Sequence, residues 1–488
     1  MPHLPDWLAR RALLHPDRPA LIGSFATWSF AELDARASAL AMGLRALGLL
    51  PGQRLAILAR NSPYYAAALH AAPRCGLLLV PLNTRLTPNE LAWQLADCGA
   101  TLLLYDEAHA AVAAILDGVE RVALEPLTEL VTGEVAAAPP IDLDAPHTII
   151  YTSGTTGHPK GAMLSAGNHW WSATASLLNL GLHETDRWLA VLPLFHVGGL
   201  SILLRGVIYG IPVVLHERFD PAAALAAIDD EAVTIASLVA VMLARMLEIR
   251  GQRPFPPHFR CALLGGGPAP QQLLESCASR GVPVVQTYGM TETASQAVTL
   301  APADALRKLG SAGQPLLPME LRIVAAGRVA APGEVGEICV RGPMVTKGYY
   351  GRPEATAAAL HDGWLHTGDL GYLDPEGFLY VVDRRSDLII SGGENIYPAE
   401  VEAILLEHPA VAEAGVIGAP DPLWGQVPVA FLVIRDAAHA DSNQLIEHCR
   451  ARLATYKAPR QIHVVAELPR TAAGKLRRNL LRELLERM

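Results

Sequence analysis

The sequence predicts an α/β protein in two parts. Residues 1–385 form a large N-terminal part of α/β sheet layers with a barrel-like antiparallel unit, and residues 386–488 a small α+β C-terminal part. Three observations predict it. Short apolar runs alternate with Ala/Leu-rich stretches of helical period over most of the chain. Between Leu321 and Arg341 the rhythm changes to closely spaced strands broken at Ala326-Gly327 and Pro332-Gly333. After Asp383-Arg384-Arg385-Ser386-Asp387 a compact α/β pattern resumes for about 100 residues, the size of one small domain.

In chain order, Arg54–Leu58, Gly76–Pro81 and Thr101–Tyr105 read as strands, with a helix over Asn61–Ala72 between the first two. The same alternation continues through Arg187–Leu192, Pro212–Leu215, Thr234–Leu238, Cys261–Leu264 and Val282–Gln286. Gly198-Gly199 open a helix over Leu200–Tyr209, and Pro398 opens one carrying Val401, Ile404 and Leu405 on one face. A last helix carries Leu476, Leu480, Leu481, Leu484 and Leu485 as a single apolar stripe.

Composition narrows the function. With 51% hydrophobic and 18% charged residues, the 488-residue chain has material for a large core and little for disorder. A net charge of −9 with no basic block argues against nucleic acid as a partner. The apolar runs are too short to span a membrane, and Met1–Ala12 lacks the apolar stretch of a signal peptide, so a cytoplasmic protein is expected. The six cysteines form no C-x-x-C pair and no zinc spacing with histidine, so buried reduced thiols are expected. Only five of the 39 basic residues are lysine, so a retained lysine points to a need for a compact ammonium.

The motif with the most chemistry is Thr148–Met163. An apolar strand runs into Thr152, Ser153, Gly154, Thr155, Thr156 and Gly157, followed by Lys160. Glycines let successive backbone N–H groups converge on an anion, hydroxyls add donors, and Lys160 adds charge, as a polyphosphate requires. An apolar segment, not a helix, follows Lys160, which excludes a Walker A loop. Further on, Glu292 follows a strand end beside Thr291 and can hold Mg²⁺ on phosphates, although a carboxylate there is also a common helix cap. Tyr288 could stack on a base, and Gly265, Gly266 and Gly267 either admit a flat ring or make a tight turn. Asp369, after a turn, suits a ribose diol, and Asp383-Arg384 could complete that grip. Lys475 lies on a small-residue loop just before the last helix, where a cation is mildly unfavourable and a functional reason is expected.

Together these motifs resemble the ANL superfamily of adenylate-forming enzymes, in the family's order and over nearly the whole chain. The resemblance implies the ANL fold, ATP and Mg²⁺, and coenzyme A as co-substrate. It implies that Thr152–Lys160 covers the ATP phosphates, that Gly265–Gly267 and Tyr288 border the adenine, and that Asp369 and Arg384 hold the ribose. Glu292 would bind Mg²⁺, and Lys475 would bridge the reacting carboxylate and the α-phosphate. Ser386 would be the hinge about which the small domain turns, bringing Ser391, Gly392 and Gly393, with Lys457, to coenzyme A. Longer stretches, among them GNHWWSATASLLNLGL and SDLIISGGENIYPAEVE, resemble AMP-forming acid–thiol ligases acting on an aryl dicarboxylic acid. Such an acid needs donors for its second carboxylate, expected from His196 and from Gly198 and Gly199 at the start of a helix. Arg205, about 9 Å up that helix, is expected behind these ligands. The alternatives are a CoA ligase for another fatty or aryl acid and a catalytically silent adenylate-binding protein. A homo-oligomer is left open.

Overall fold

The computed structural model describes residues 3–24, 26–129, 138–152, 159–267, 269, 271–383, 388–435, 441–469 and 476–488. Two sheets build the N-terminal part. In the first, Leu78–Pro81, Arg54–Leu58, Leu102–Tyr105 and Glu120–Ala123 run parallel, and Pro146–Thr152 joins beside Leu78–Pro81. In the second, Val213–Leu215, Trp188–Ala190, Ile235–Val239, Cys261–Gly265 and Val284–Met290 are parallel neighbours.

These strands read as continuous apolar runs because helices cover both faces. Successive side chains alternate between the faces. Leu55 and Ile57 enter one core and Ala56 and Leu58 another. Likewise Cys261 and Leu263 join the core of Leu55, while Ala262 and Leu264 join a third. The shared middle core takes one face of each sheet and holds the helices Phe30–Ala46, Pro63–Arg74 and Val197–Tyr209. The helix Pro88–Cys98 closes the outside of the first sheet, and Ala240–Arg250 and Gln271–Ser279 that of the second. The result is a stack of alternating helix and sheet layers.

The antiparallel unit continues this framework. Ser295–Leu300 pairs with Val284–Met290, then Ser311–Pro315 and Leu379–Asp383 carry the same sheet into Trp364–Leu373, Gly336–Arg341 and Glu320–Ala325. The C-terminal part has its own five-stranded sheet, centred on Gly425–Ile434 with Val411–Asp421 antiparallel beside it, and its own core around Val401, Leu405, Leu432 and Leu445. Among the described residues no helix is long and apolar enough to cross a membrane.

Candidate active site

Thr152 and Lys160 stand opposite each other across the antiparallel strands Pro146–Thr152 and Lys160–Ser165. The Thr152 hydroxyl donates to the Lys160 carbonyl at 3.3 Å, and the Lys160 ammonium lies 5.5 Å from the Tyr349 ring centre. A strand, not a helix, follows the lysine, as the sequence requires. Ser153, Gly154, Thr155, Thr156, Gly157, Arg384, Ser386 and Lys475 lie outside the described residues.

Glu292 sits in a single helical turn, Thr291–Thr293, that follows the strand Val284–Met290. Its side chain is buried, and Tyr349 donates its hydroxyl to Oε1 at 2.7 Å. Thr152, Lys160, Thr291, Glu292 and Asp369 line one cleft. The donor set fits a hard divalent cation: a buried carboxylate beside a hydroxyl and facing a phosphate-sized space.

Asp369 receives a hydrogen bond from the Tyr288 hydroxyl at 2.8 Å. Its turn is braced from the neighbouring strand, where Glu337 accepts the Gly368 N–H at 2.9 Å and meets His366 Nδ1 at 2.9 Å. Gly265, Gly266, Gly267 and Tyr288 border the adjoining cavity of about 510 Å³. Gly266 has φ +82°, and a Cβ there would come to 3.2 Å of Val239, so a larger residue would strain the backbone and crowd this wall. Gly289 is needed more sharply: a Cβ would fall 1.7 Å from the Ser295 carbonyl.

The acid-sized pocket lies beyond Thr291, a cavity of about 230 Å³ lined by His196, Gly198, Arg205, Gln296 and Met242, among others. The helix at its side begins at Val197, three residues earlier than its glycines suggest, with His196 as N-cap. The expectation for Gly199 is corrected: its N–H is spent on the His196 carbonyl at 3.0 Å, and a Cβ would lie 2.3 Å from the Pro193 carbonyl. It permits close packing, while Gly198 lines the pocket.

Arg205 also lines the pocket, so its expected place behind the ligands is corrected. It is seven residues after Gly198, two turns on and so on the same face, and helical side chains lean back toward the N-terminus. The residue is 1% exposed and its guanidinium donates to Ser172 Oγ at 3.3 Å, but no carboxylate pairs with it among the described residues, and Nε has no partner there. Burial pushes its pKa below the ordinary arginine value, with Tyr209 opposing. Gln296 is buried too, and neither amide atom has a hydrogen-bond partner among the described residues. Orphaned buried polar groups are costly, and both residues line one cavity.

The C-terminal part closes this pocket. Ile389–Ser391 and Glu394–Ile396 form a hairpin whose two turn residues, Gly392 (φ +59°) and Gly393 (φ +88°), both need left-handed backbone. The turn puts Gly392, Gly393 and Glu394 into the pocket wall. Ser391 lies behind it, buried and paired with Glu394 and Gly425. The buried Glu394 carboxylate meets His196 Nε2 at 3.1 Å and Arg85 at 2.6 Å. Burial pushes its pKa up, but His196 and Arg85 outweigh that and hold it below the usual carboxylate range. Lys457 is corrected as a coenzyme A ligand: its buried ammonium donates to Glu90 at 2.6 Å and Glu400 at 2.7 Å, leaving no free charge for a phosphate. The sequence reading missed Arg85, Gln296 and the role of Glu394. Only Glu394 carried a signal, its place beside a Gly-Gly turn.

The arrangement places a cleft with a buried carboxylate, hydroxyls and a lysine beside a glycine-walled cavity and a third, largely apolar cavity. Known proteins are similar to this chain over its full length. The curated 2-succinylbenzoate--CoA ligase of Geobacillus kaustophilus is 53% identical over 99% of both chains. A double mutant of o-succinylbenzoate CoA synthetase from Bacillus subtilis, bound with the product analogue OSB-NCoA, is 49% identical, covers 99% of both chains and superposes with a TM-score of 0.94. The same synthetase in complex with the acyl-adenylate intermediate OSB-AMP, at the same identity and coverage, gives 0.77. This chain is thus more similar in structure to the product-analogue complex than to the acyl-adenylate complex. The family model described as AMP-binding enzyme matches residues 8–350 and the AMP-binding enzyme C-terminal domain residues 400–475, so the chain belongs to the AMP-binding enzyme family.

Proposed function

We propose that the protein is an AMP-forming acid–thiol ligase that adenylates 2-succinylbenzoate and transfers the acyl group to coenzyme A, the step that the resemblance ties to menaquinone biosynthesis. Relatives of that activity at about 50% identity over the full length support it. The observation on this chain that carries the acid is Arg205, a buried guanidinium without a carboxylate, beside the orphaned amide of Gln296. A monocarboxylic acid would leave both unpaired once its own carboxylate sits at the phosphates, whereas the ring carboxylate of 2-succinylbenzoate can accept from the Arg205 guanidinium and the Gln296 amide N–H.

In the first half-reaction an oxygen of the succinyl carboxylate attacks the α-phosphorus of ATP, and pyrophosphate leaves. Thr152 and Lys160, with Ser153–Gly157, hold the phosphates, Tyr288 and Gly265–Gly267 the adenine, and Asp369 with Arg384 the ribose. Lys475 would bridge the carboxylate and the α-phosphate. Glu292 and Thr291 would hold Mg²⁺, which neutralises phosphate charge. In the second half-reaction the thiol sulfur of coenzyme A attacks the acyl carbon, AMP leaves, and the thiol proton is lost to solvent. His196, Gly198, Arg205 and Gln296 keep the acid in place, while the 391–394 turn shapes the thiol's approach. The two steps need different faces of the small domain, so the division at residues 385/386, with Ser386 as hinge, belongs to the same proposal. Its partners are these small molecules, with no role for nucleic acid or membrane, in the cytoplasm.

The test compares 2-succinylbenzoate with 4-oxo-4-phenylbutanoate, which lacks only the ring carboxylate, by CoA-dependent AMP formation. Loss of a charge-assisted contact predicts a kcat/KM lower by roughly ten- to a hundredfold or more. Equal turnover would leave a general aryl- or acyl-CoA ligase.

A further inference from the structure

Around Lys457 the two parts of the chain meet through charge. The ammonium is buried and held by Glu400, 57 residues before it in the C-terminal part, and by Glu90 of the N-terminal part. Glu90 is the third residue of the helix Pro88–Cys98 and caps it, with Oε2 accepting the Thr87 N–H at 2.8 Å. The same oxygen accepts the Ala454 N–H across the interface at 3.0 Å, and Thr87 Oγ1 donates to the Arg452 carbonyl at 3.2 Å. One carboxylate thus finishes a helix of one part and takes two contacts from the other, at residues 454 and 457, while Thr87 beside it adds a third at residue 452.

We propose that Glu90 is a positioning residue for the thioester-forming step: its carboxylate latches Lys457 and so holds the pose in which the 391–394 turn enters the acid pocket. Glu400 travels with Lys457 when the small part turns, so that pair survives in any pose. The Glu90 contacts bridge the two parts and so depend on how these are arranged. Their chain neighbours point the same way: Arg85, five residues before Glu90, holds Glu394 of the turn, and Asn83 donates to the Tyr456 hydroxyl at 3.4 Å. Segment 83–90 therefore forms one docking strip whose carboxylate facing Lys457 is the half-buried Glu90. A buried ammonium that loses one of two carboxylates gains a hydration cost, which biases the equilibrium between poses without touching a reacting atom. The inference rests on the two-step reading above.

The test uses the full chain with Glu90→Gln, whose amide still accepts the Thr87 N–H and so keeps the helix cap, Lys457→Gln, and the double variant. ATP–pyrophosphate exchange reads adenylation, single-turnover conversion of supplied acyl-AMP reads thioester formation, and a dye pair, one on each part, reads the pose without substrate. For Glu90→Gln we expect exchange within twofold of wild type, thioester formation at least about tenfold slower, and fewer molecules at the short dye distance. The double variant should be no slower than the slower single, because the residues act through each other. Equal losses in both half-reactions, an unchanged thioester rate, or additive losses would overturn the latch. If Glu90→Gln does not fold, Glu90→Asp, with the charge one methylene shorter, must show the same split between half-reactions. Should wild type fail to turn over 2-succinylbenzoate, the substrate reading falls, and the dye distances still decide the latch.

Discussion

Replacing Arg205 with methionine should separate function from stability. The guanidinium is almost fully buried, 5.4 Å above the Trp188 ring, and has no carboxylate partner among the described residues. In the free protein it is therefore an uncompensated buried charge, and a methionine of similar length removes that burden while filling the space. We expect the melting temperature to hold or rise. With substrate bound the balance reverses. Removing one partner of a buried, hydrogen-bonded charge pair costs about 2–5 kcal/mol. Taking about 3 kcal/mol, and about 1.4 kcal/mol per decade, kcat/KM for 2-succinylbenzoate should fall roughly 150-fold. For 4-oxo-4-phenylbutanoate, which brings no second carboxylate, the change should be under about threefold, so the variant should nearly erase the preference between the acids. Steady-state AMP formation with both acids and a thermal melt are sufficient. Equal losses on both acids, or a variant that unfolds several degrees earlier with its preference intact, would refute the assignment of Arg205 to the ring carboxylate.

Glu292→Gln should raise the Mg²⁺ concentration needed for half-maximal pyrophosphate exchange by at least about tenfold, with little change in the melt, because its packing partner Tyr349 can still donate to the amide oxygen. Lys475→Ala should abolish acyl-AMP formation, by about a thousandfold for a transition-state contact of roughly 4 kcal/mol, yet spare thioester formation from supplied acyl-AMP. Gly199→Ala, whose Cβ would sit 2.3 Å from a backbone carbonyl, should destabilise by about 1–3 kcal/mol in urea unfolding, whereas Gly198→Ala, with its nearest neighbour at 3.6 Å, should fold normally. Burial pushes the Asp106 carboxyl up, but His109 and Arg60 hold it down at about 2. A depressed carboxyl stabilises the fold fully above its unfolded value near ~4 and loses that contribution as pH falls toward its folded value. The stability deficit of Asp106→Asn should accordingly shrink between about pH 4 and pH 2, and a deficit that grows on acidification would reverse the sign.

The strands were legible because they are sandwiched. Arg54–Leu58 follows its apolar run, since both of its faces are covered and every residue from Leu55 on is apolar. The start of the helix at Val197 was not, because Gly198-Gly199 reads as a breaker while tertiary packing against the Pro193 carbonyl selects glycine inside the first turn. The phosphate and ribose motifs are contiguous in sequence, which makes them readable. The acid pocket is not: Arg205, Gln296 and Glu394 meet from a helix, a strand and the small part, and only Glu394, beside its Gly-Gly turn, has a local pattern. Arg205 was misplaced by counting rise along the axis and ignoring that its long side chain leans back down the helix. Lys457 was misread as a phosphate ligand because Glu90, which neutralises it, lies 367 residues away in the chain. Spacing in sequence carries no information about such a partner.

All six cysteines are buried. Burial pushes the thiols of Cys98 and Cys339 up to about 11, and those of Cys261, Cys277 and Cys449 to about 12, with Cys75 raised as well. An enzyme of this kind generates a mixed anhydride, a strong acylating agent, and admits a free thiol to meet it. Any thiolate of its own within reach would be a competing nucleophile, and any accessible one could trap the incoming thiol as a mixed disulfide. Keeping every sulfur protonated and out of reach leaves the arriving thiol as the sole sulfur nucleophile. The protein is thereby chemically inert toward both of its reactive partners, and stoichiometric alkylating agents that spare folded protein should leave its turnover intact.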